Sequence, residues 1–572
     1  MSVKARRFLV VAGVVVGLLL APMASAATRG IPPASGCLPS AGSDATPFTG
    51  GLDPVQLAAA YGISSLWSAG YQGQGQGVAL IEIGQSLGTG PNDYTRLTHC
   101  YDAPREVPSP IADVVPITTA TQPPKPGGEG VLDPEIVSAI APRAQIYLFE
   151  SGAGTTLATA LAGLLNAALN PANTGGKEVD TISISDALCE AAWTPALLAP
   201  VQEQLRRAAS LGVSVLAAEG DAGSADAYSV GGAPRCLEGP VSYAAAKKSA
   251  RTLGERPTFG LGLNYPASSP LVTSVGGTEF HIAGTLPYGA DPAGGTIISE
   301  DVWDQPDTNP TYKGFSWAGG GGDSKLFTVA DAPWERDIGI SGHEEKPDIS
   351  ALAGSPGYLQ GATGTTGASP LMAGAIADLD GYLEAHGASP AGPLNPTLYN
   401  IAADRALYRS VFNDITTGTN DTFALGCCKA GASYDKASGL GSLDIAGLGA
   451  ALLAQPSLRV PWSTVTLTAH PGGSIGVPED VAAITNNVIR GTPYYVNLWV
   501  DDVFLAKCKT SDCTASFSPS PVPQTVEISA DVGLARTKPF TTNAIVSKQT
   551  QVTVRYLQHS SDARLPVARR QP

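Results

Sequence analysis

Between about residues 50 and 454, short apolar segments alternate with segments of helical spacing. The apolar segments have the length of buried strands: Val78–Ile83, Gln145–Glu150, Val179–Ser185 and Val213–Ala218. The longer segments Thr156–Leu169 and Pro195–Leu211 have helical spacing, and Gly212 after the second is a common helix stop. Strands that alternate with helices form a parallel sheet whose faces are covered by the helices. The sequence therefore predicts an α/β fold here.

The pattern changes after residue 456. Apolar and polar residues then alternate at period two, between turns rich in Pro, Gly and Ser, in Val465–Thr468, Tyr494–Val500, Thr514–Phe517 and Thr525–Ala530. Such spacing predicts a small antiparallel β-sandwich of the Ig-like type. We expect the α/β domain to span residues 50–455, the sandwich residues 456–558, and a disordered tail residues 559–572.

The first residues have the pattern of an export signal. Lys4, Arg6 and Arg7 precede the apolar run Phe8–Leu20, and small residues lead up to Ala26. A basic start, a short apolar run and small residues predict a secretory signal peptide, residues 1–26, cleaved after Ala26. The run is too short to span a bilayer. We therefore expect a secreted protein with a short extension at residues 27–49.

The chain has 8 Cys, an even number that predicts disulfides in an exported protein. Cys508 and Cys513 flank a short turn and are expected to pair. Cys189 and Cys236 are a second candidate pair. The sequence leaves the partners of the other four open: Cys37, Cys100, Cys427 and Cys428.

Acidic residues dominate the charge, with 50 Asp+Glu against 35 Lys+Arg and a formal net charge of −15. This balance argues against nucleic acid or an anionic membrane as a partner.

Several short motifs occur in a defined order within residues 50–445: Leu57–Ile63, Gly77–Gly84, Glu129–Asp133, Ala139–Pro142, Ala218–Gly223, Ser269–Thr278, Gly319–Ser324, Lys346–Ser350 and Gly364–Pro370. Together they resemble the sedolisin (serine-carboxyl peptidase) family, whose fold is subtilisin-like. The Gly-rich stretch within them, Ala318–Gly322, is either a linker or a backbone wall that an extended ligand can approach closely.

The resemblance implies roles for four residues. Glu129 is the base that takes the proton of a hydroxyl nucleophile, and Asp133 orients it. Two neighbouring carboxyl groups resist ionising together, so the pair can hold one proton at acidic pH. Asp221, if protonated, donates a hydrogen bond to the oxyanion. The nucleophile position, four residues before Pro370, is occupied by Thr366.

A structural interpretation of the same acids is also open. Asp133, Pro134 and Glu135 have the pattern of a helix start, with an Asp cap and Pro at the first position. Glu129 would then be a loop acid away from the helix face of Asp133. Asp221 would be a turn acid after a strand.

Thr366 departs from the family pattern, which has serine at this position. The extra methyl restricts rotation about the first side-chain bond and can hinder attack. Ser369 is expected to cap a helix over residues 370–383 and so to have a structural role. Only about twenty residues separate Ala26 from the α/β domain, where such peptidases commonly carry a long proregion. Both features point towards weak or absent proteolysis.

A second motif resembles the calcium loop of the family. Asp414 and Asp435 would bind Ca²⁺ through their side chains, and Ile415, Gly431 and Ser433 through their carbonyls. Such hard oxygen ligands suit Ca²⁺. The alternative is a pair of turn aspartates.

From this resemblance we expect a secreted, calcium-stabilised, serine-type endopeptidase that hydrolyses peptide bonds at acidic pH. We expect it to be monomeric and to act on polypeptides. One alternative is a non-catalytic pseudopeptidase that binds peptides; another is an adhesion protein that acts through its C-terminal domain.

Overall fold

The computed structural model describes residues 51–87, 112–116, 123–152, 154–283, 297–358, 361–459, 465–468, 472–474, 478–485, 494–501, 503–522, 524–533 and 550–557. The predicted signal peptide, the extension after it and the C-terminal tail lie outside these residues. So do Cys37 and Cys100.

The α/β part contains β1 Gly77–Ile83, β2 Gln85–Ser86, β3 Ala112–Pro116, β4 Lys125–Pro126, β5 Gln145–Ser151, β6 Thr181–Ile184, β7 Leu188–Cys189, β8 Ser214–Ala218, β9 Ala227–Val230, β10 Ala233–Cys236, β11 Thr258–Gly260, β12 Asn264–Tyr265, β13 Thr273–Ile282, β14 Ile297–Val302, β15 Asp304–Pro306, β16 Ser316–Ala318, β17 Gly322–Thr328, β18 His343–Lys346, β19 Ile349–Leu352, β20 Phe412–Asn413 and β21 Ser442–Leu443. Its helices are α1 Pro54–Ala60, α2 Ile63–Ser68, α3 Glu129–Ile140, α4 Leu157–Ala168, α5 Pro195–Leu211, α6 Pro240–Leu253, α7 Thr365–Ala385, α8 Asn395–Ala402, α9 Arg405–Val411 and α10 Ile445–Ala454.

The main sheet has the strand order β14-β13-β8-β6-β1-β5-β3, and β19 also pairs with β13. Every pairing in it is parallel except that of β14 with β13. β1 lies near the centre, with Gly77 opposite Gln145 of β5 and Val78 opposite Thr181 of β6. The predicted parallel sheet is therefore confirmed.

Helices cover both faces of this sheet. Along β1, Val78 and Leu80 belong to the core that contains α3 and α7, whereas Ala79 and Ile81 belong to the core that contains α4 and α5. Successive side chains of a strand point to opposite faces, so a strand that is apolar throughout must be covered on both sides. This arrangement fits an α/β, subtilisin-like fold.

After residue 464 the described strands are β22 Val465–Thr468, β23 Gly472–Ser474, β24 Glu479–Thr485, β25 Tyr495–Val500, β26 Val503–Cys508, β27 Asp512–Phe517, β28 Gln524–Gly533 and β29 Thr550–Leu557. They form two sheets, β22-β24-β27 and β23-β29-β28-β25-β26, around a shared apolar cluster. The Ig-like assignment of this part stays a prediction.

The disulfides Cys189–Cys236 and Cys508–Cys513 are present as predicted. The adjacent residues Cys427 and Cys428 are bonded to each other, which the sequence had left open. Among the described helices, none combines the length and apolar character needed to cross a bilayer.

Candidate active site

Acidic side chains meet at the carboxyl edge of the main sheet. Glu82 is near the end of β1, Asp186 follows β6, and Asp221 follows β8. Two helices also begin at this edge, α3 at Glu129 and α7 at Thr365. In open α/β folds this edge is where ligands bind.

The predicted helix start at Asp133 is wrong, because α3 begins one turn earlier, at Glu129. Gly128 precedes the helix with φ of +58°, and the Glu129 amide donates to Oε1 of Gln85 at 2.8 Å. Pro134 lies inside the helix and not at its first position. Glu129 and Asp133 are four residues apart on one helix, so their side chains lie on the same face. The loop-acid interpretation of Glu129 is therefore overturned.

The glycines on both sides of Glu129 are required by packing. A Cβ on Gly128 would lie 1.5 Å from Oε1 of Gln85, and one on Gly130 would lie 2.4 Å from the Ser86 amide nitrogen. The start of α3 is thus pressed against β2, and this close contact sets the position of Glu129.

Thr366 lies beside the two acids of α3. Its hydroxyl is within hydrogen-bonding reach of the Glu129 carboxyl. The Ser185 hydroxyl lies 2.5 Å from Oδ2 of Asp133 and 3.1 Å from the carbonyl oxygen of Thr366. Glu129 therefore lies next to Thr366, and Ser185 fixes Asp133 relative to Thr366.

Asp221 approaches the same threonine from the other side. Its Oδ1 accepts hydrogen bonds from the amide and the hydroxyl of Thr365, at 2.8 and 2.7 Å. Oδ2 of Asp221 lies 3.0 Å from the position that a Cβ on Gly364 would occupy, and Oγ1 of Thr366 lies at the same distance from that position. The four predicted residues are thus brought together, and Asp221 is more than a turn acid because it caps α7.

The start of α7 corrects a second expectation. The helix begins at Thr365, five residues before Pro370, because Asp221 from a distant part of the chain binds its first amide. Ser369 therefore does not cap a helix. It is buried inside α7, where its hydroxyl pairs with that of Ser183 at 2.8 Å.

Sequence reasoning missed two further acids of this cluster. Glu82 is fully buried, and no donor reaches either of its carboxyl oxygens within the described residues. Glu82 faces Asp133, and the carboxyl groups of these two residues are within hydrogen-bonding reach of each other. Two such carboxyl groups satisfy each other only when one of them holds a proton. Asp186 lies beside them, and its Oδ2 accepts from the Ile83 amide at 2.9 Å.

The sequence contained a signal for both residues. Glu82 is a single acid within an otherwise apolar strand, and Asp186 follows directly after another buried strand. A charged residue is rarely fully buried without a partner, so such positions point to functional or paired groups.

Burial raises the pKa of every acid in the cluster. For Glu129, the charges of Asp133, Asp186 and Asp221 raise the pKa further, and the hydrogen bond from Thr366 opposes this. For Asp133, burial outweighs the hydrogen bond from Ser185. The pKa of Asp186 rises to about 7.

Burial also raises the pKa of Asp221, against the two hydrogen bonds from Thr365. A group with a raised pKa keeps its proton to higher pH. The cluster can therefore hold protons on several carboxyl groups in acidic solution.

Relatives among well-characterised proteins are consistent with this arrangement. No family model matches the chain. Kumamolisin from Bacillus sp. strain MN-32 is 31% identical over 410 residues, which cover 68% of this chain and 61% of kumamolisin. Sedolisin from Pseudomonas sp. strain 101 is 32% identical over 33% of this chain and 30% of its own length. Tripeptidyl-peptidase sed5 from Aspergillus fumigatus is 35% identical over 32% of this chain and 33% of its own length.

The chain belongs to the sedolisin family. It spans less than two thirds of the length of each of these three relatives.

Within this sedolisin-family chain, the Gly-rich stretch after β16 lies against the Asp221 loop. The Gly320 amide donates to the Gly220 carbonyl at 3.0 Å, and a Cβ on Gly321 would lie 2.0 Å from the Lys436 carbonyl oxygen. The stretch is thus closely packed, which overturns the linker interpretation.

The predicted calcium loop brings its two aspartates to one turn. Both carboxyl oxygens of Asp414 accept from the Ser433 amide, at 2.9 and 3.1 Å, and Oδ2 of Asp435 accepts from the Gly431 amide at 2.8 Å. Ser433 has φ of +65°, a left-handed conformation uncommon for a residue other than glycine. Neither aspartate has an ion-pair partner in the described part of the chain.

The oxygen atoms of the two aspartates are hard ligands of the kind that Ca²⁺ prefers. Within the described ranges, no three His, Cys, Asp or Glu side chains are arranged to hold a metal ion. A cation here would therefore need carbonyl ligands, such as that of Ile415, in addition to Asp414 and Asp435.

Proposed function

We propose that this chain is a peptidase that hydrolyses peptide bonds of polypeptides at acidic pH, with Thr366 as its nucleophile. The observation that carries the proposal is the grouping of Glu129, Asp133 and Asp221 around the Thr366 hydroxyl. The similarity to kumamolisin, sedolisin and a tripeptidyl-peptidase supports the same chemistry.

In the first step, Oγ1 of Thr366 attacks the carbonyl carbon of the scissile peptide bond. Glu129 takes up the hydroxyl proton at the same time, because a hydroxyl is a weak nucleophile until a base removes its proton. Asp133 orients Glu129. Protonated Asp221 donates a hydrogen bond to the oxygen that becomes negatively charged, and its raised pKa favours this protonated form.

In the second step, Glu129 gives its proton to the leaving amine and the peptide bond breaks, which leaves an ester on Thr366. Water then attacks the ester with Glu129 as base. The acid product leaves, and the Thr366 hydroxyl is restored. The histidine of other serine-type peptidases is replaced here by a carboxyl group, so the chemistry suits acidic pH.

The extra methyl of Thr366 favours slow turnover. A β-branched side chain has fewer accessible rotamers than serine, and Thr366 lies in the first turn of α7, half-buried beside Asp221. A pseudopeptidase that binds peptides without cleaving them is the outcome expected if the methyl blocks the attack.

The test is hydrolysis of an acid-denatured protein between pH 3 and pH 6 by the purified full chain, with threonine, serine or alanine at position 366. We expect Thr366→Ser to raise hydrolysis and Thr366→Ala to abolish it. Glu129→Ala should erase the gain of the serine variant, since residues that act as a unit are not additive. Equal hydrolysis by the native and alanine proteins would exclude Thr366 as nucleophile.

We further propose that the chain is an endopeptidase. A peptide with an acetylated amino terminus separates this mode from release of tripeptides, which needs a free amino terminus. Cleavage of the acetylated peptide at an internal bond is the expected result. Cleavage of only the free peptide, three residues from its end, would contradict it.

We also propose that a calcium ion stabilises the turn around Asp414 and Asp435, with carbonyls of Ile415, Gly431 and Ser433 as further ligands. The ion would supply positive charge to two aspartates that otherwise have only amide and hydroxyl donors.

Secretion of the chain is a related proposal, supported by the disulfides Cys189–Cys236 and Cys508–Cys513, which persist in oxidising compartments. Protein recovered from the culture medium, with both disulfides intact by mass spectrometry, would support export. Retention inside the cell would contradict it.

We also infer that the C-terminal strands form an Ig-like sandwich. Their two sheets, in which most strand pairs are antiparallel, enclose one apolar cluster and support this proposal.

A further inference from the structure

Residues 227–262, which we name the side unit, carry a charge opposite to that of the whole chain. The side unit contains β9, β10, β11 and α6. It has five basic residues, Arg235, Lys247, Lys248, Arg251 and Arg256, and two acidic residues, Glu238 and Glu255. The whole chain has a net charge of −15. The side unit therefore has a local excess of positive charge.

The positive charge is concentrated on one exposed stripe of α6, which we name the basic face: Lys247, Lys248 and Arg251. The neighbouring stripe, with Tyr243 and Ala246, is buried against the rest of the unit. The helix contains no acidic residue, and none of the three cations forms an ion pair within the described part of the chain.

Like charges four residues apart on a helix are mildly destabilising. Lys247 and Arg251 have this spacing. Lys313 is exposed near this helix, and its carbonyl oxygen lies 3.5 Å from Nζ of Lys247. The stability of the helix therefore does not account for this grouping of charge.

Two connections hold the side unit at the candidate active site. The disulfide Cys189–Cys236 joins β10 to the segment that directly follows Asp186. Ala222, next to Asp221 in sequence, packs in the same apolar cluster as Tyr243 of α6. Both anchors are at the carboxyl edge of the main sheet, so the side unit borders the candidate active site.

Aromatic packing fixes the orientation of α6. The Tyr243 ring lies 5.6 Å from that of Phe315 and 5.8 Å from that of Phe259, and Phe259 stacks on Phe423 at 4.1 Å. Such contacts between large rings add stability beyond buried area alone. The basic face is therefore held in a fixed orientation in a unit that borders the candidate active site.

We propose that the basic face is an exosite that binds acidic residues of the polypeptide substrate, several positions away from the scissile bond. This inference rests on the proposed peptidase function and names a preferred class of substrate. Exposed cations attract the acidic side chains of a polypeptide, and a local cationic surface of this kind favours capture of an acidic substrate. An extended substrate advances about 3.3–3.6 Å per residue, so its residues on either side of the scissile bond continue beyond the active site.

The test measures binding without cleavage, in the Thr366→Ala protein. The probes are fluorescent peptides with one neutral core and a flank of Glu, Ser or Lys on either side, used in low salt at about pH 5.5, where Glu side chains are ionised. We expect the Glu-flanked peptide to bind most tightly. Salt should remove this preference, because exposed charges are screened.

The variant Lys248→Glu/Arg251→Glu replaces two cations whose side chains form no hydrogen bond or ion pair in the described part of the chain. We expect it to weaken binding of the Glu-flanked peptide about tenfold, since two weak attractions between exposed charges are replaced by repulsion. The matched control is Arg143→Glu/Lys177→Glu. Both control residues are exposed and precede β5 and β6, at the opposite edge of the sheet.

Tighter binding of the Lys-flanked peptide, or equal loss in the variant and its control, would overturn the proposal. Circular dichroism establishes that the variant is folded, and Lys248→Gln/Arg251→Gln provides a second, neutral variant that should show a smaller loss. A different result would contradict the proposed peptidase function and leave the exosite proposal standing: the native protein binds the peptides, but none of the proteins with threonine, serine or alanine at position 366 cleaves them.

Discussion

Replacing Glu219 with glutamine removes a buried carboxyl group whose proton couples folding to pH. Glu219 follows β8 and is fully buried. Burial raises its pKa from 4.5 to about 8, against a hydrogen bond from Ser274 and the charge of Lys346. The other oxygen, Oε1, has no hydrogen-bond partner in the described residues. A neutral amide of the same shape can therefore replace the protonated acid.

The magnitude follows from the two pKa values. Between pH 4.5 and pH 8 the folded chain keeps a proton that the unfolded chain has released. The free energy of unfolding therefore falls as the pH rises, by about 1.4 kcal/mol per pH unit for this single group. The stabilisation is fully present below pH 4.5, and about 3 kcal/mol of it is lost by pH 7.

The assay is urea unfolding of the full chain, followed by tryptophan fluorescence at pH 4.5, 5.5 and 7. We expect Glu219→Gln to match the native protein at pH 4.5 and to exceed it by about 3 kcal/mol at pH 7. The control is Glu203→Gln on α5, whose side chain is 62% exposed and hydrated in both states. Parallel pH dependence of the native protein and Glu219→Gln would show that the Glu219 proton does not couple folding to pH.

Three further predictions concern the candidate sites. A calcium ion present at a hundredfold excess over its Kd would stabilise the folded chain by about 2.7 kcal/mol. Chelation should therefore lower the melting temperature. Asp414→Ala should lower it by a similar amount without any chelator. Asp221→Asn offers a donor that does not titrate, so a profile of kcat/KM against pH should retain activity at higher pH than the native enzyme; an unshifted profile would exclude Asp221 as the donor. Gly130→Ala would place a Cβ 2.4 Å from the Ser86 amide nitrogen. Thermal unfolding should therefore show that the free energy of unfolding falls by about 1–3 kcal/mol, and hydrolysis should be reduced. An unchanged free energy of unfolding would contradict the tight packing at this position.

The parallel sheet was predictable because β1, β5, β6 and β8 are buried on both faces. Such strands have continuous apolar sequences, which single-sequence reasoning recognises easily. The C-terminal strands were predictable for a different reason: their apolar and polar residues alternate, as expected for strands buried on one face. In both cases the pattern along the chain reflects burial directly.

The helix starts were not predictable from local sequence. Asp133 and Pro134 have the local pattern of a cap, but α3 begins at Glu129 because the helix start packs against β2. Ser369 likewise precedes a proline, yet Asp221, more than a hundred residues away in sequence, binds the first amide of α7. Contacts between distant parts of the chain outweigh local propensity at these positions.

The site itself was predicted in part. Glu129, Asp133, Asp221 and Thr366 were found through the resemblance to a family, and the structure brings them together. Glu82 and the acid after β6 were missed because a single acid in or after an apolar strand carries no spacing pattern. Only the meeting of neighbouring strands at one edge of the sheet reveals such residues.

The two helices that begin at the site have an electrostatic consequence. The charges that act on Glu129 are all from carboxyl groups, Asp133, Asp186 and Asp221. The N-termini of α3 and α7 point into this cluster, and each carries about half a positive elementary charge from its aligned peptide dipoles. This positive charge belongs to the backbone and cannot lose a proton. The cluster therefore has a source of positive potential that is the same at every pH, which a lysine or a histidine could not provide.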